Sequence, residues 1–135
     1  MLKNYRIYGN KQSLIELLTI LLDNAIKYSN KNRLVILKSK KLDHRILITV
    51  SDQGIGIDRE NLPHIFDRFY RADKSRSKEK ITGYGLGLSI AKRIIDIHNG
   101  IIRAESKLGK GSEFTVEIPE KNKQKKSNIL SLFSG

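Results

Sequence analysis

The chain has 135 residues, 39% of them hydrophobic and 30% charged, with no cysteine and a formal net charge of +12. That length suits one domain with a proper core, since roughly two-thirds of the unfolded surface of such a chain is buried on folding. The composition excludes a disulfide framework and a thiolate metal site, and no apolar run nears the ~18 residues of a membrane span. The positive balance asks for an anionic partner such as a nucleotide, a nucleic acid or an anionic surface.

The start, MLKNYRIYGN, lacks the apolar core of a secretory signal, so a cytoplasmic location is expected. The segment SLIELLTILLDNAIKYS places Leu14, Leu17, Leu18, Leu21, Leu22, Ala25 and Ile26 at helical spacing, which predicts an amphipathic helix. Ser13 with Glu16 three residues later reads as a capping box at its start. Asn24, Lys27 and Tyr28 fall along one flank of the apolar stripe, where polar groups can reach a ligand.

Two β-like runs follow at 33–40 and 45–52, joined by KLDH, and predict a hairpin whose Ile46, Ile48 and Val50 turn toward the core. The second run ends in SDQGIGI, a carboxylate followed by Gly54, Gly56 and Ile57. NLPHIFDRFYR then predicts a short helix at Pro63 with Phe66, Phe69 and Tyr70 clustered behind it. The polar, basic stretch RADKSRSKEK leads into ITGYGLGLSIAKRIIDIHNG, in which Gly83, Gly85 and Gly87 precede a predicted helix from about Leu86 to His98. Leu88, Ala91, Ile94 and Ile95 form its apolar side, and the Asn–Gly pair ends it at Gly100. Closing strands are expected at IIRAES and EFTVEIP around the loop KLGKG, with Phe114, Val116 and Ile118 on the buried face. This order predicts an α+β fold of two layers, helices covering one face of a mixed, mostly antiparallel sheet.

A glycine-rich turn before a helix offers free N–H groups and a positive dipole end to phosphate. The spacing here is not that of a dinucleotide fingerprint, because it is G-x-G-x-G and follows a charged segment rather than a strand. No Gly-Lys-Ser/Thr follows, which excludes the P-loop.

Taken together, LLDNAIKYS, DQGIGI, IFDRFYR, GYGLGLSIAKRII and GKGSEFTVEIP, in this order, resemble the N box, first glycine box, F box, second glycine box and closing hairpin of the ATP-binding catalytic domain of sensor histidine kinases. That family shares the Bergerat-type ATP-binding fold with gyrase B and the Hsp90 chaperones. The resemblance spans roughly residues 5 to 119. It implies a domain over 1–120 with a mobile lid at about 70–84, and the lysine-rich, weakly patterned stretch at 121–135 reads as a basic, disordered tail.

The resemblance implies ATP and Mg²⁺ as cofactors. Asn24 would ligate the metal through its amide oxygen and, with Arg71 at the γ-phosphate, would serve catalysis. Asp52 would accept from the adenine amino group, Gly54 and Gly56 would let the base approach the backbone, and Ile57 and Tyr28 would pack beside it. Lys27, Arg71, Gly83, Gly85, Leu86 and Gly87 would surround the phosphates, and Ser112 would reach the base through water.

The implied reaction is transfer of the γ-phosphoryl group to a histidine on a separate dimerisation domain, and onward to a response regulator. Three departures stand out. Ile20 occupies a position where the wider superfamily often carries Asn or Glu, and an aliphatic side chain cannot activate water. Tyr84 sits where a small residue is usual, and His44, His64 and His98 lack the Glu/Asp–Pro context of a phosphoacceptor. The fragment is therefore expected to be a monomer outside the membrane that does not bind nucleic acid. A nucleotide-binding interaction module without catalytic output is the alternative. A nucleic-acid-binding protein is a third reading, disfavoured because its aromatics look partly buried.

Overall fold

The computed structural model describes residues 5–29, 31–68 and 87–120. Its elements are helix α1 (Lys11–Tyr28), strands β1 (Val35–Leu42) and β2 (Arg45–Asp52), a 3₁₀ turn at Leu62–His64, helix α2 (Gly87–Ile97), and strands β3 (Ile101–Lys107) and β4 (Gly111–Pro119). The four strands form one sheet in the order β1-β2-β4-β3, and every pairing is antiparallel. Both helices lie against one face, giving the expected two-layer α/β architecture.

The helix begins three residues earlier than the Ser13–Glu16 capping box predicts. Asn10 is the cap, in extended conformation, and its Oδ1 accepts from Ser13 N at 2.9 Å. Asparagine caps as well as serine does, and here Asn10 takes the end while Ser13 becomes part of the first turn. The inward stripe of α1 is Leu17, Leu21, Asn24 and Ala25, while Ile26 is 65% exposed and does not join it.

The hairpin turn is tighter than expected, because β1 runs on to Leu42 and pairs Leu42 with Arg45. Only Asp43 and His44 remain as the loop, with Asp43 at φ 57, a left-handed conformation that a short polar side chain tolerates. Cross-strand register sorts the sheet into rows. Val50 with Phe114 and Ala104, and Ile48 with Val116 and Ile102, face the helices. There they meet Leu17, Leu21, Leu88, Ala91, Ile94 and Ile95 in one core cluster. Leu47 departs from the expected alternation: it is buried on the opposite face, in a row with Lys40, Glu117 and Ile101.

Helix α2 ends on Asn99 at φ 59, with Gly100 N bonded back to Ile95 O at 2.9 Å. Asparagine supplies the left-handed residue, while Gly100 is required by crowding, since a Cβ there would overlap Glu117 O. His98 ties the two helices together. Its Nδ1 donates to Ile94 O at 2.7 Å and its Nε2 accepts from Asn10 N at 3.0 Å.

Candidate functional site

The site is built where the C-terminal end of α1 meets the end of β2. Tyr28 O accepts from Ile55 N at 3.2 Å, and Ser29 bridges Gly54. This junction is possible only because residue 54 has no side chain: a Cβ on Gly54 would overlap the Tyr28 carbonyl. Gly56, at φ 76, is crowded in the same way by Lys107 O. On the side where a Cβ would project, the two glycines answer to protein backbone. Their effect is to lock the loop after β2 between α1 and the β3–β4 turn.

The register places Asp52 on the inward row of β2, two residues beyond the fully buried Val50. Its Oδ1 accepts from Gly54 N at 2.9 Å and from Ser112 N at 3.2 Å, and Oδ2 carries no hydrogen bond among the described residues. Burial pushes the carboxyl above its usual range, opposed by the two backbone N–H groups. An anchored carboxylate with one oxygen left over can accept from a further donor.

Asn24, one helical turn before Tyr28, is 6% exposed and faces the same interlayer space between helix and sheet. Its Nδ2 is buried without a partner among the described residues. Orphaned buried polar atoms cost about 1–3 kcal/mol, so their persistence points to a ligand or water that completes them. Tyr28 is half-buried, and burial raises its phenol above the usual value. Lys27 is exposed, with its ammonium 5.7 Å from the Tyr28 ring centre. Ile57 is buried and its amide donates to Ser106 Oγ at 2.7 Å. Gly87 opens α2, and among the described residues a Cβ there would meet Ile20, 3.4 Å from its Cγ2. Ile20 thus serves as packing between α1 and the start of α2.

The structure therefore brings Asn24, Tyr28, Asp52, Gly54 and Ser112 to one end of the helix–sheet interface. Phe66, of the expected aromatic cluster, packs edge-on against Phe114 with ring centres 6.3 Å apart. Arg71, Gly83, Gly85 and Leu86, together with Phe69, Tyr70 and the expected lid and tail, lie outside the described residues. The residue missed by sequence reasoning is Ser106. Its hydroxyl joins Ile57, Gly111 and Ser112, and a single serine in an alternating strand gives no signal until the β3–β4 register is known. Among the described residues no group of three or more His, Cys, Asp or Glu side chains could hold a metal. No helix there is long and apolar enough to cross a membrane.

A two-layer α/β domain with an anchored carboxylate at a strand end and an unsatisfied amide on the facing helix is the architecture of an ATPase domain of the kinase–gyrase–Hsp90 type. Residues 9–122 match the model of the histidine kinase-, DNA gyrase B- and HSP90-like ATPases, and the chain belongs to that family. It is 45% identical over 116 residues to the sensor histidine kinase YkoH of Bacillus subtilis, covering 86% of this chain and 25% of that protein. It is 43% identical over 114 residues to the signal transduction histidine-protein kinase ArlS of Staphylococcus aureus, covering 84% and 25%. The chain thus spans a quarter of the length of these curated relatives. Among solved structures, a mycobacterial sensor histidine kinase, MprB, superposes with a TM-score of 0.74 at 28% identity, covering 85% of this chain and 77% of that one. Full-length ShkA in complex with AMPPNP gives 0.74 at 28% identity, covering 88% and 24%.

Proposed function

We propose that this chain binds ATP with Mg²⁺ at the α1–β2 junction and donates the γ-phosphoryl group to a histidine on a separate dimerisation domain, from which a response regulator receives it. The observation that carries the reading is the pairing of Asp52, fixed through Oδ1 and open at Oδ2, with Asn24 on the facing helix, whose buried Nδ2 donor has no partner among the described residues and suits a phosphate oxygen. The relatives' names, sensor histidine kinase and signal transduction histidine-protein kinase, support the reaction class. The neighbour in complex with AMPPNP supports the ligand.

Each residue has a chemical task. Asp52 Oδ2 accepts from the exocyclic amine of adenine, a donor that guanine lacks at that position. The Asn24 amide oxygen is a hard neutral ligand, suited to a magnesium ion that keeps most of its waters and takes its other ligands from phosphate. The absence of a carboxylate cage among the described residues fits a metal carried in with the nucleotide. When bound, the ion neutralises charge on the phosphates. Lys27, exposed at the last turn of α1, adds a mobile positive charge beside them.

No residue here needs to activate water. Ile20 is engaged in helix packing, and an imidazole acceptor is itself the nucleophile, so positioning and charge suffice for transfer. Calorimetry with ATP, ADP and inorganic triphosphate, with and without Mg²⁺, tests the reading. Asp52→Asn should weaken the adenine nucleotides and spare triphosphate. Equal losses for both ligands would overturn the assignment.

A further inference from the structure

Ser106 lies at the centre of a hydrogen-bond junction that uses its whole capacity. Its Oγ accepts from Ile57 N at 2.7 Å, lies 2.9 Å from Gly111 O, and lies 2.7 Å from Ser112 Oγ. A hydroxyl has one hydrogen and two lone pairs. The Gly111 carbonyl can only accept, so the Ser106 hydrogen goes there. The Ile57 amide can only donate, which takes one lone pair. The remaining lone pair must receive the Ser112 hydrogen, and the direction of the Ser106–Ser112 bond is thereby decided.

The consequence lies in Ser112. With its hydrogen committed to Ser106, its Oγ offers only lone pairs to anything else. Ser112 pairs with Ser106 across β3–β4, its backbone N–H holds Asp52 Oδ1, and it is 8% exposed. Ser112 and Asp52 are joined through the Ser112 amide, so Asp52 Oδ2 and Ser112 Oγ are then two acceptors on neighbouring side chains, and neither brings a hydrogen of its own.

We propose that Ser106 is a positioning residue for nucleotide selectivity: by holding the Ser112 hydroxyl as an acceptor, it makes the site favour a base bearing an amino group over one bearing a carbonyl oxygen at the same carbon. This rests on the adenine-nucleotide reading above. Without Ser106 the Ser112 hydroxyl is free to rotate and donate, and a carbonyl base regains a partner. The Ile57 amide would also lose its acceptor, which loosens the loop after β2.

The test compares ATP with inosine triphosphate, whose ring carries oxygen at that carbon and a hydrogen on the adjacent ring nitrogen, through binding calorimetry on the full chain. In Ser106→Ala the preference for ATP over inosine triphosphate should fall by about threefold to tenfold, the worth of one neutral hydrogen bond. Ser106→Thr, which keeps the hydroxyl, should restore it. Ser112→Ala should reduce the preference by itself, and the double variant should add nothing further. A purely structural role would lower the unfolding temperature of Ser106→Ala and leave the ratio alone, and that result overturns the proposal. Should Ser106→Ala not fold, an unchanged ratio in Ser112→Ala overturns it equally. Failure of the wild-type chain to bind ATP at all would instead remove the nucleotide reading on which the proposal stands.

Discussion

Asp52 and Ser112, 60 residues apart in sequence, meet through a bond from the Ser112 amide to Asp52 Oδ1 at 3.2 Å. The same oxygen takes the Gly54 amide at 2.9 Å, so the carboxylate is held from one side only. A Cβ on Gly111 would overlap Asp52 O, which explains why the residue before Ser112 is glycine at φ 112. The end of β2 and the start of β4 are thus drawn together by backbone, and the side chain that profits is the one proposed to read the base.

Burial raises the Asp52 pKa, so ionised Asp52 costs stability in the free domain. For a carboxyl whose folded pKa lies above its unfolded value near 3.8, the favourable contribution is fully present below that value. It is lost as pH rises through the folded pKa. Asp52→Asn should therefore raise the thermal midpoint of the nucleotide-free domain at pH 7, with the gap over wild type closing as pH falls toward 4. The same substitution should weaken ATP binding by about tenfold or more, since a bond to a charged acceptor is worth about 1.5–3 kcal/mol. Calorimetric melts across pH, with and without nucleotide, check both signs. A pH-independent gap would show that Asp52 ionisation carries no such cost.

The glycines separate crowding from conformation. At Gly54 a Cβ would overlap Tyr28 O, so Gly54→Ala must push α1 away from the loop after β2 and should cost about 2–3 kcal/mol, within the range of overpacking in close-packed interiors. Gly109 has φ 79 but nothing within 4 Å of a Cβ. Gly109→Ala should therefore cost about 1–2 kcal/mol, the penalty of a left-handed L-residue alone, and Gly109→Asn should cost less. Urea unfolding of the three variants gives the ranking. A Gly54→Ala domain as stable as wild type would mean the α1–β2 junction is loose.

Much of this was legible beforehand because helices and strands write their faces into the chain at fixed periods. Leu88, Ala91, Ile94 and Ile95 were all expected inside and are. What the periods do not carry is any choice between competing local signals or across long separations. Asn10 and Ser13 are both competent caps, and only the seating of α1 decides between them. Leu47 reads as outward, and its burial depends on which neighbours in the sheet reach over it. Asp52 and Asn24 could be nominated through the family resemblance, yet the backbone crowding at Gly54 and Gly56 needed coordinates. His98 could be placed at a helix end but not on Asn10, because the two are 88 positions apart in the chain.

That contact yields its own expectation. His98 bridges Ile94 O and the amide of Asn10, and the ring lies so close to Gly9 that a Cβ there would come within 2.6 Å of Cδ2. His98→Ala removes two hydrogen bonds at a half-exposed place where water can replace them in part. It should cost about 1–2 kcal/mol in chemical denaturation. Nucleotide affinity measured on the folded fraction should not change, because the joint lies at the other end of α1 from Asn24. A large loss of ATP affinity would show that the α1–α2 angle sets the site.

Asn24 gives the sharpest separation of stability from function. Its Nδ2 is buried without a partner among the described residues, beside Leu21 and Ala25. Asn24→Leu, close in volume and without polar atoms, should stabilise the nucleotide-free domain by about 1 kcal/mol, the relief of an unsatisfied amide. It should also abolish the share of ATP affinity that depends on Mg²⁺, leaving metal-free ADP binding nearly intact. Asn24→Asp keeps an oxygen ligand but adds charge, so it should strengthen the dependence on metal more than it changes recognition of the base. The decisive measurement mixes each variant with a histidine-bearing dimerisation domain and ATP labelled at the γ-phosphate. Wild type should form phosphohistidine and Asn24→Leu should not, despite its greater stability. If wild type binds ATP yet labels no histidine, the domain is a nucleotide-sensing module, and the orphaned amide serves binding alone.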